Sequence, residues 1–343
     1  MPRELIAVAP REPVFREYDV PPPGPGEARV RSKLTTISHG TEMSLYRGTA
    51  PFATQAFERE RRAFLPHEHG TIYPMQLGTE YVGEVVEVGD GVDEVAVGDL
   101  VYGRGGHKEV QQTRAGELVR LPTTLDPEAA LFVHHGCVAL NALHDGKMRL
   151  GDSVGVIGLG VIGLLAVQMA RLSGARRVFG ADTFAMRRQL ALEFGAEEVF
   201  DPATDDAGLE MKSRAGAGVD VAFEVSGTYP GLQAAIRSVC IGGRIVAVGY
   251  YQGGGEALRL GEEFLHNRVD LVSTMYVWDC PHRDYPLWDK ARLQDAVFEL
   301  LASGLLSTES LITHRIPWQE ADSAYQLLDE HPEDTVRVAI TYD

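Results

Sequence analysis

The chain has 343 residues, of which 44% are hydrophobic, and a formal net charge of −17 from 32 basic and 49 acidic side chains. This acidity argues against nucleic acid or an anionic membrane surface as a partner. No apolar run reaches the roughly 18 residues that a membrane-spanning helix needs, and the three cysteines are too scattered for a disulfide framework. We therefore expect a cytoplasmic protein whose length and apolar content suit two hydrophobic cores.

The first third of the chain, residues 1–122, alternates short β-branched runs with turn sequences. Residues 28–33 and 80–88 are examples of the runs, and 21–26 is a proline- and glycine-rich turn. This pattern predicts an all-β barrel. Residues 52–74 interrupt it with a charged insertion that has aromatic ends and is too long for a simple turn; such a loop usually covers a site or is disordered.

A glycine motif follows the next predicted strand and opens a helix. Gly158, Gly160 and Gly163 have the GxGxxG spacing. In this motif the first glycine allows a tight turn, the second lets the backbone approach a pyrophosphate, and the third lets the helix pack close to the strand. The helix begins with Val161 and Ile162, where unpaired N–H groups and a partial positive charge favour phosphate. The motif predicts a dinucleotide site.

An acidic residue ends the second predicted strand of this region. Asp182 lies 19 residues beyond Gly163, where a carboxylate accepts hydrogen bonds from the adenosine ribose and repels the 2′-phosphate of NADP. NAD(H) is therefore the favoured cofactor. Arg187 and Arg188 lie near the same helix start and could pair with a phosphate; alternatively they are solvated charges on a surface helix.

Residues 123–287 alternate strands and helices with the spacing of a doubly wound parallel sheet, so the predicted fold class is α/β. Ser226, Gly249 and Thr274 fall at or near the ends of later strands, and we predict that they line the ligand crevice. The last strand is apolar enough to need covering, which predicts a homodimer or homotetramer. The four strands predicted after the first two are residues 197–201, 219–225, 244–250 and 270–275.

The C-terminal segment, residues 288–343, is predicted to contain two helices and two strands. We expect these strands to return to the first domain, so that the nucleotide-binding domain is inserted between its two parts. The predicted domains are thus 1–122 with 288–343, and 123–287. The predicted elements are helix 291–302, strand 312–316, helix 319–328 and strand 336–341.

The whole chain resembles the medium-chain dehydrogenase/reductase superfamily, which includes zinc alcohol and polyol dehydrogenases and zinc-free quinone reductases. The run Ile37-Ser-His-Gly-Thr-Glu42 is similar to the bacteriochlorophyllide-dehydrogenase-like subgroup. The resemblance implies a GroES-like β-barrel catalytic domain, a Rossmann domain, and hydride transfer between a secondary alcohol and NAD. The matching pieces, in order along the chain, are residues 78–89, 97–102, 151–163, 242–249 and 312–315.

The resemblance also indicates where the chemistry lies. Zinc members carry a cysteine, a His-Glu pair and a third Cys or Glu around one ion; the matching positions here are His39, Thr79-Glu80 and His134. His39, Glu80 and His134 would form a zinc set with an open fourth position. The alternative is a metal-free polar pocket, because Thr79 removes a strong ligand. Thr41 matches the residue that passes the substrate proton to solvent, so His39, Thr41 and Glu80 are the predicted catalytic residues.

Tyr81, His134 and Tyr250 are predicted to contact substrate, although Tyr81 could instead be a core aromatic. His107 and His135 could point into the cleft or be structural. Aromatic residues near Tyr250 and in 276–282 favour a bulky, cyclic or polyol-like small molecule. The favoured function is an NAD-dependent alcohol dehydrogenase or ketone reductase. Two alternatives are a zinc-free enoyl or quinone reductase, which Asp182 disfavours, and a sensor that binds NAD without turnover.

Overall fold

A computed structural model describes residues 1–67, 70–276 and 287–343, and the chain divides into two units. The strands are β1 (Arg3–Ala9), β2 (Glu12–Glu17), β3 (Glu27–Thr36), β4 (Gln55–Glu58), β5 (Ala63–Pro66), β6 (Met75–Gln76), β7 (Tyr81–Val88), β8 (Leu100–Gly103), β9 (Val110–Arg114), β10 (Val119–Arg120), β11 (Ser153–Ile157), β12 (Arg177–Ala181), β13 (Glu198–Phe200), β14 (Val219–Glu224), β15 (Val239–Ala247), β16 (Asp270–Ser273), β17 (Ile312–Pro317) and β18 (Arg337–Thr341). The α-helices are α1 (Thr41–Tyr46), α2 (Pro127–Ala130), α3 (Val133–Gly146), α4 (Val161–Leu172), α5 (Ala185–Glu193), α6 (Ala207–Arg214), α7 (Tyr229–Ser238), α8 (Lys290–Ala302) and α9 (Ala321–Glu330).

Unit 1 consists of Met1–Phe132 and Thr308–Asp343 and is mainly β-structure. Its largest sheet has the strand order β10-β8-β7-β3-β18-β17, and β9 also pairs with β3. The antiparallel pairing of β18 with β3 brings the end of the chain back to its beginning, as expected. Its buried clusters include Trp318 and Tyr325 near α9, and Val30 and Val85 inside the barrel.

The insertion at residues 52–74 is more ordered than the sequence predicted. Strands β4 and β5 form an antiparallel hairpin, and the Phe64 ring packs edge-on against Phe52 and Phe57 at centroid distances of 5.0 and 5.3 Å. Aromatic packing of this kind stabilises a hairpin that hydrophobic periodicity alone does not reveal, because the strands are only four residues long.

Unit 2, Val133–Ser307, is built on a six-stranded parallel sheet with the order β13-β12-β11-β14-β15-β16. The order reverses between β11 and β14, which is where ligands bind in open α/β sheets. Strand β11 is buried at every position, as expected for a central strand with helices on both faces. The six-stranded parallel sheet confirms the predicted fold class.

The unit boundaries differ from the expected ones, which were residues 122 and 288. Helix α8 packs against α3 and so belongs to unit 2. Residues before α3 belong to unit 1, where the Leu131 carbonyl accepts a hydrogen bond from Arg337 at 2.6 Å. Within the described part of the chain, none of the helices combines the length and apolar character that crossing a bilayer requires.

Candidate active site

The glycine turn between β11 and α4 has one open and two closed positions. Gly158 has φ +93°, and a Cβ there would lie 2.5 Å from the Ser226 backbone nitrogen. A Cβ at Gly163 would lie 1.9 Å from the Gly158 carbonyl oxygen, so the helix touches the turn directly. A Cβ at Gly160 would meet nothing within 4 Å. The turn therefore exposes backbone at Gly160 alone of these three glycines.

Helix α4 begins at this open position. Gly160 caps it without a side-chain hydrogen bond, and its carbonyl accepts the Leu164 N–H at 2.9 Å. The N–H groups of Val161, Ile162 and Gly163 precede that first intrahelical bond and have no helical acceptor. Because β11 adjoins the reversal of strand order, this helix start fits a dinucleotide pyrophosphate.

Asp182 follows β12 directly and is 8% exposed. One carboxylate oxygen accepts the Leu159 N–H at 2.8 Å, which lies inside the glycine turn, and the other accepts the Phe184 N–H at 2.9 Å. Two backbone donors thus fix the carboxylate beside the turn, where it fits an adenosine ribose. Arg187 lies 4.0 Å from Asp182 and over the Phe184 ring, and burial lowers its pKa against the opposing effect of Asp182.

Four more residues that the sequence places near the cofactor lie close to strand ends: Arg188, Ser226, Gly249 and Thr274. Arg188 donates to the Asp182 carbonyl at 2.7 Å and pairs with Asp201, so it is not a free surface charge. Ser226 and Gly249 follow β14 and β15, beside the glycine turn. Thr274 follows β16, is buried, and accepts a hydrogen bond from Asn141 at 2.5 Å. The predicted cofactor residues therefore share the carboxyl edge of one sheet.

In unit 1, His39 and Thr41 lie on the loop that opens α1. His39 is half-buried and Thr41 is exposed at the first position of the helix, where its carbonyl accepts the Ser44 hydroxyl at 2.7 Å. Gly40 caps α1 without a side-chain bond. The orientation of the loop is set by the next residue, Glu42, which the sequence analysis did not single out.

Glu42 is 3% exposed and its carboxylate joins several segments. One oxygen accepts the Gly78 N–H at 2.8 Å and the Tyr325 hydroxyl, and the other accepts the Ser38 N–H at 3.0 Å. The His107 Nε2 atom lies 3.3 Å away. Burial would raise the pKa of Glu42, but His107 and these donors outweigh it and lower the pKa.

His107 is a structural residue of this network, one of the two roles that the sequence left open for it. The ring is fully buried, and its Nδ1 atom lies 2.7 Å from the Thr35 hydroxyl while Nε2 faces Glu42. The signal in the sequence for this network was Glu42 itself. A carboxylate that is buried on a short helix must accept hydrogen bonds from donors elsewhere in the chain.

Glu80 does not fit the predicted role of metal ligand. One oxygen lies 2.5 Å from the Arg337 guanidinium and the other accepts the Tyr102 hydroxyl at 2.9 Å, with Glu80 and Arg337 at 0 and 1% exposure. The same guanidinium nitrogen donates to Thr36, and the guanidinium carbon lies 5.2 Å from the centre of the Phe132 ring. Burial lowers the pKa of Arg337, and Glu80 opposes that shift.

The zinc set expected from the sequence therefore lacks a free carboxylate. With Glu80 neutralised by Arg337, the set is reduced to His39 and His134, together with the weakly coordinating Thr79 hydroxyl. A metal with two protein ligands is poorly held. The donor set of this chain therefore disagrees with a three-ligand catalytic zinc.

The predicted substrate residues occupy different surroundings. Tyr81 is fully buried in the barrel core with Val30 and Val101, which favours the core alternative for this residue; burial raises its pKa. Tyr250 is half-buried on the loop after β15. His134, on α3, lies 5.6 Å from Tyr276 between ring centroids. Residues 277–282 of the predicted aromatic wall lie outside the described residues.

Family models match both units. Residues 24–139 match the alcohol dehydrogenase GroES-like domain and residues 161–288 match the zinc-binding dehydrogenase domain. D-guloside 3-dehydrogenase of Escherichia coli K12 is 32% identical over 99% of this chain and 100% of its own. The chain belongs to the medium-chain dehydrogenase/reductase superfamily, in its zinc-type alcohol dehydrogenase branch.

Solved structures show the same fold. The 2R,3R-butanediol dehydrogenase of Bacillus subtilis is 25% identical, has a TM-score of 0.80, and covers 100% of both chains. Two structures at 22% identity cover 99% of both chains: a dehydrogenase of Sinorhizobium meliloti with NADP, TM-score 0.79, and one of E. coli CFT073 with NADH, TM-score 0.78. The predictions of family, fold class and an oxidoreductase acting between alcohol and ketone are confirmed.

Proposed function

We propose that this protein uses NAD(H), rather than NADP(H), to interconvert a secondary alcohol and a ketone on a glycoside or other polyol-like molecule. The observation that carries the cofactor choice is Asp182. Its carboxylate is held by Leu159 and Phe184 beside the glycine turn, and it would repel a 2′-phosphate. Arg187, at 4.0 Å, partly offsets that charge without displacing the carboxylate.

The bound cofactor would supply hydride transfer, while the chain provides binding and a path for the proton. Gly160 and the start of α4 bind the pyrophosphate through backbone N–H groups. Thr41 is exposed at the start of α1, so its hydroxyl is placed to receive or relay the alcohol proton. His39, two residues earlier, is the neighbouring imidazole that would orient the substrate oxygen.

The substrate class is proposed from the relatives. D-guloside 3-dehydrogenase covers the full chain, and its name identifies a sugar glycoside oxidised at a ring carbon. A ring substrate with several hydroxyls suits the predicted bulky, cyclic or polyol-like class. We therefore propose oxidation of a single secondary hydroxyl on such a ring to the ketone.

The experiment measures turnover of alkyl glycosides, free hexoses, cyclitols and butanediol with NAD⁺ and with NADP⁺. We expect glycosides with NAD⁺ to give the highest kcat/KM, at least about tenfold above NADP⁺. Asp182→Gly with Thr183→Arg should reverse the preference for NAD⁺ over NADP⁺. Asp182→Asn, the matched control, removes the charge alone and should lower the ratio of kcat/KM with NAD⁺ to that with NADP⁺. Equal use of both cofactors by wild type and all variants would contradict the ribose assignment.

We also propose a homodimer, or a tetramer built from it. Strand β16 is an edge of the sheet, and Leu271 on it is 39% exposed. An apolar edge strand of this kind is usually covered by a partner. Light scattering should give at least twice the chain mass of 37.5 kDa, and Leu271→Lys should lower that value.

A further inference from the structure

A buried carboxylate closes strand β14. Glu224 is fully buried, and each of its side-chain oxygens accepts two donors. Oε1 accepts the Ser226 N–H at 2.9 Å and the Ser226 hydroxyl. Oε2 accepts the Tyr251 hydroxyl at 2.5 Å and the Gly227 N–H at 3.3 Å. Burial raises the pKa of Glu224, although these hydrogen bonds act in the opposite direction.

Glu224 thereby joins two loops, one after β14 and one after β15. Its own carbonyl accepts the Val248 and Gly249 N–H groups at 2.8 and 3.0 Å. The loops also touch through bare backbone, because a Cβ at Gly249 would lie 2.1 Å from the Gly227 nitrogen. The two loops are therefore held together by backbone hydrogen bonds to the Glu224 carbonyl and by the side-chain hydrogen bonds of its carboxylate.

The loop after β14 lies beside the glycine turn between β11 and α4. A Cβ at Gly158 would be 2.5 Å from the Ser226 nitrogen, so the first loop packs directly on the turn. Asp182 lies on the other side, at the end of β12. A dinucleotide that crosses the reversal of strand order with its adenosine at Asp182 must place its other half toward β14 and β15.

We propose that Glu224 is a positioning residue for the nicotinamide half of the cofactor. It acts through Ser226, Gly227 and Tyr251, which it holds as one wall of the crevice, and it makes no contact with the cofactor itself. The inference rests on the proposed placement of the adenosine ribose at Asp182. It predicts that Glu224 matters for ligands that extend past the pyrophosphate and not for shorter ones.

The test compares NADH with ADP, which has the adenosine and pyrophosphate but no nicotinamide. Dissociation constants are measured by NADH fluorescence and by calorimetry for ADP, on wild type, Glu224→Gln and Tyr251→Phe. In Glu224→Gln, an amide NH₂, itself a donor, replaces an oxygen that accepts hydrogen bonds from two donors. In Tyr251→Phe, the hydroxyl that donates to Glu224 is removed. We expect Glu224→Gln to weaken NADH about tenfold and Tyr251→Phe about threefold, with ADP changed less than about twofold.

The matched control is Asp182→Asn, which should weaken NADH and ADP together because both contain the adenosine ribose. Equal weakening of both ligands by Glu224→Gln and Tyr251→Phe, or no weakening of NADH, would overturn the proposal. If Glu224→Gln fails to fold, as judged by circular dichroism, Tyr251→Phe decides alone. If Asp182→Asn leaves ADP binding intact, the fault lies in the adenosine assignment and therefore in the proposed function.

Discussion

The glycine turn in unit 2 and the loop that opens α1 in unit 1 are held by different kinds of interaction. The glycine turn uses backbone: an open position at Gly160, the start of α4 and one carboxylate, Asp182, all within 30 residues of β11. The loop that opens α1 instead depends on buried side chains, because Glu42 binds partners as distant in the chain as His107 and Tyr325.

This difference predicts how each region responds to substitution. At the glycine turn, substituting the one side chain involved, Asp182, should weaken cofactor binding but leave the fold intact, because the backbone forms the rest of the site. A buried side-chain network leaves unpaired charge behind when one member is removed, so it loses stability and activity together.

The largest effect should come from the pair formed by Glu80 and Arg337. Arg337→Met removes the cation that faces Glu80 and leaves the Glu80 carboxylate buried. Of the two donors Arg337 and Tyr102, the variant keeps the Tyr102 hydroxyl alone. Removing one partner of a buried ion pair costs about 3–5 kcal/mol. Urea unfolding followed by far-ultraviolet circular dichroism should show a midpoint well below that of wild type.

The control is the double variant Glu80→Gln with Arg337→Met, which removes both charges. It should recover part of the lost stability, because no uncompensated charge stays buried. If the double variant is destabilised by the full sum of the two single variants, the charges of Glu80 and Arg337 do not interact.

A smaller loss should follow from His107→Phe, which keeps a flat ring but removes the partner of Glu42 and of Thr35. We expect about 1–3 kcal/mol of lost stability. Because Glu42 directly follows Thr41, kcat should also fall about tenfold, while the dissociation constant of NADH stays near that of wild type. Unchanged kcat would show that the Glu42 network does not orient the loop.

The same network has a pH signature. The pKa of Glu42 is lower in the folded protein than the roughly 4.3 of an unfolded glutamate. Its contribution is therefore fully present above that value and is lost as the pH falls through the folded pKa. The difference in stability between wild type and Glu42→Gln should be constant from pH 7 to 5 and shrink below about pH 4.

The sequence predicted the backbone-built region well because its information is local. A strand, three glycines at fixed spacing, a helix and an acid at the next strand end are all visible within residues 153–182. The six strands were also predicted, although β15 begins at Val239, five residues before its predicted start at Arg244. Parallel strand ends share one edge, so Ser226, Gly249 and Thr274 could be placed from order alone.

The side-chain network could not be predicted in the same way. The residues next to Arg337 in the sequence do not indicate that it faces Glu80, and those next to His107 do not indicate that it faces Glu42. Both contacts depend on tertiary packing. One usable signal was missed: Arg337 precedes the apolar run Val338, Ala339 and Ile340 in a fully buried stretch. A charge there requires a partner of opposite sign. For Tyr81 the sequence left a core position and a substrate contact both open, because an aromatic after an acid suits a core as well as a pocket.

The smallest effect should come from removing metal. Zinc is typical of the family, but Glu80 is held by Arg337 and Tyr102, so the predicted set is left with two histidines. Because two protein ligands hold zinc weakly, elemental analysis should find less than about one zinc per chain. Turnover after dialysis against a chelator should stay within about twofold of the untreated protein, whereas a zinc-loaded alcohol dehydrogenase treated in parallel should lose activity.

Stoichiometric zinc that leaves together with activity would contradict this expectation in an informative way. It would mean that Glu80 exchanges Arg337 for the metal, or that the ligands lie elsewhere. Glu80→Gln separates the two, since it should abolish zinc binding only if Glu80 is a ligand. Zinc retained by Glu80→Gln but lost by His39→Ala would instead place the metal on the loop that opens α1, where His39 would be one of its ligands.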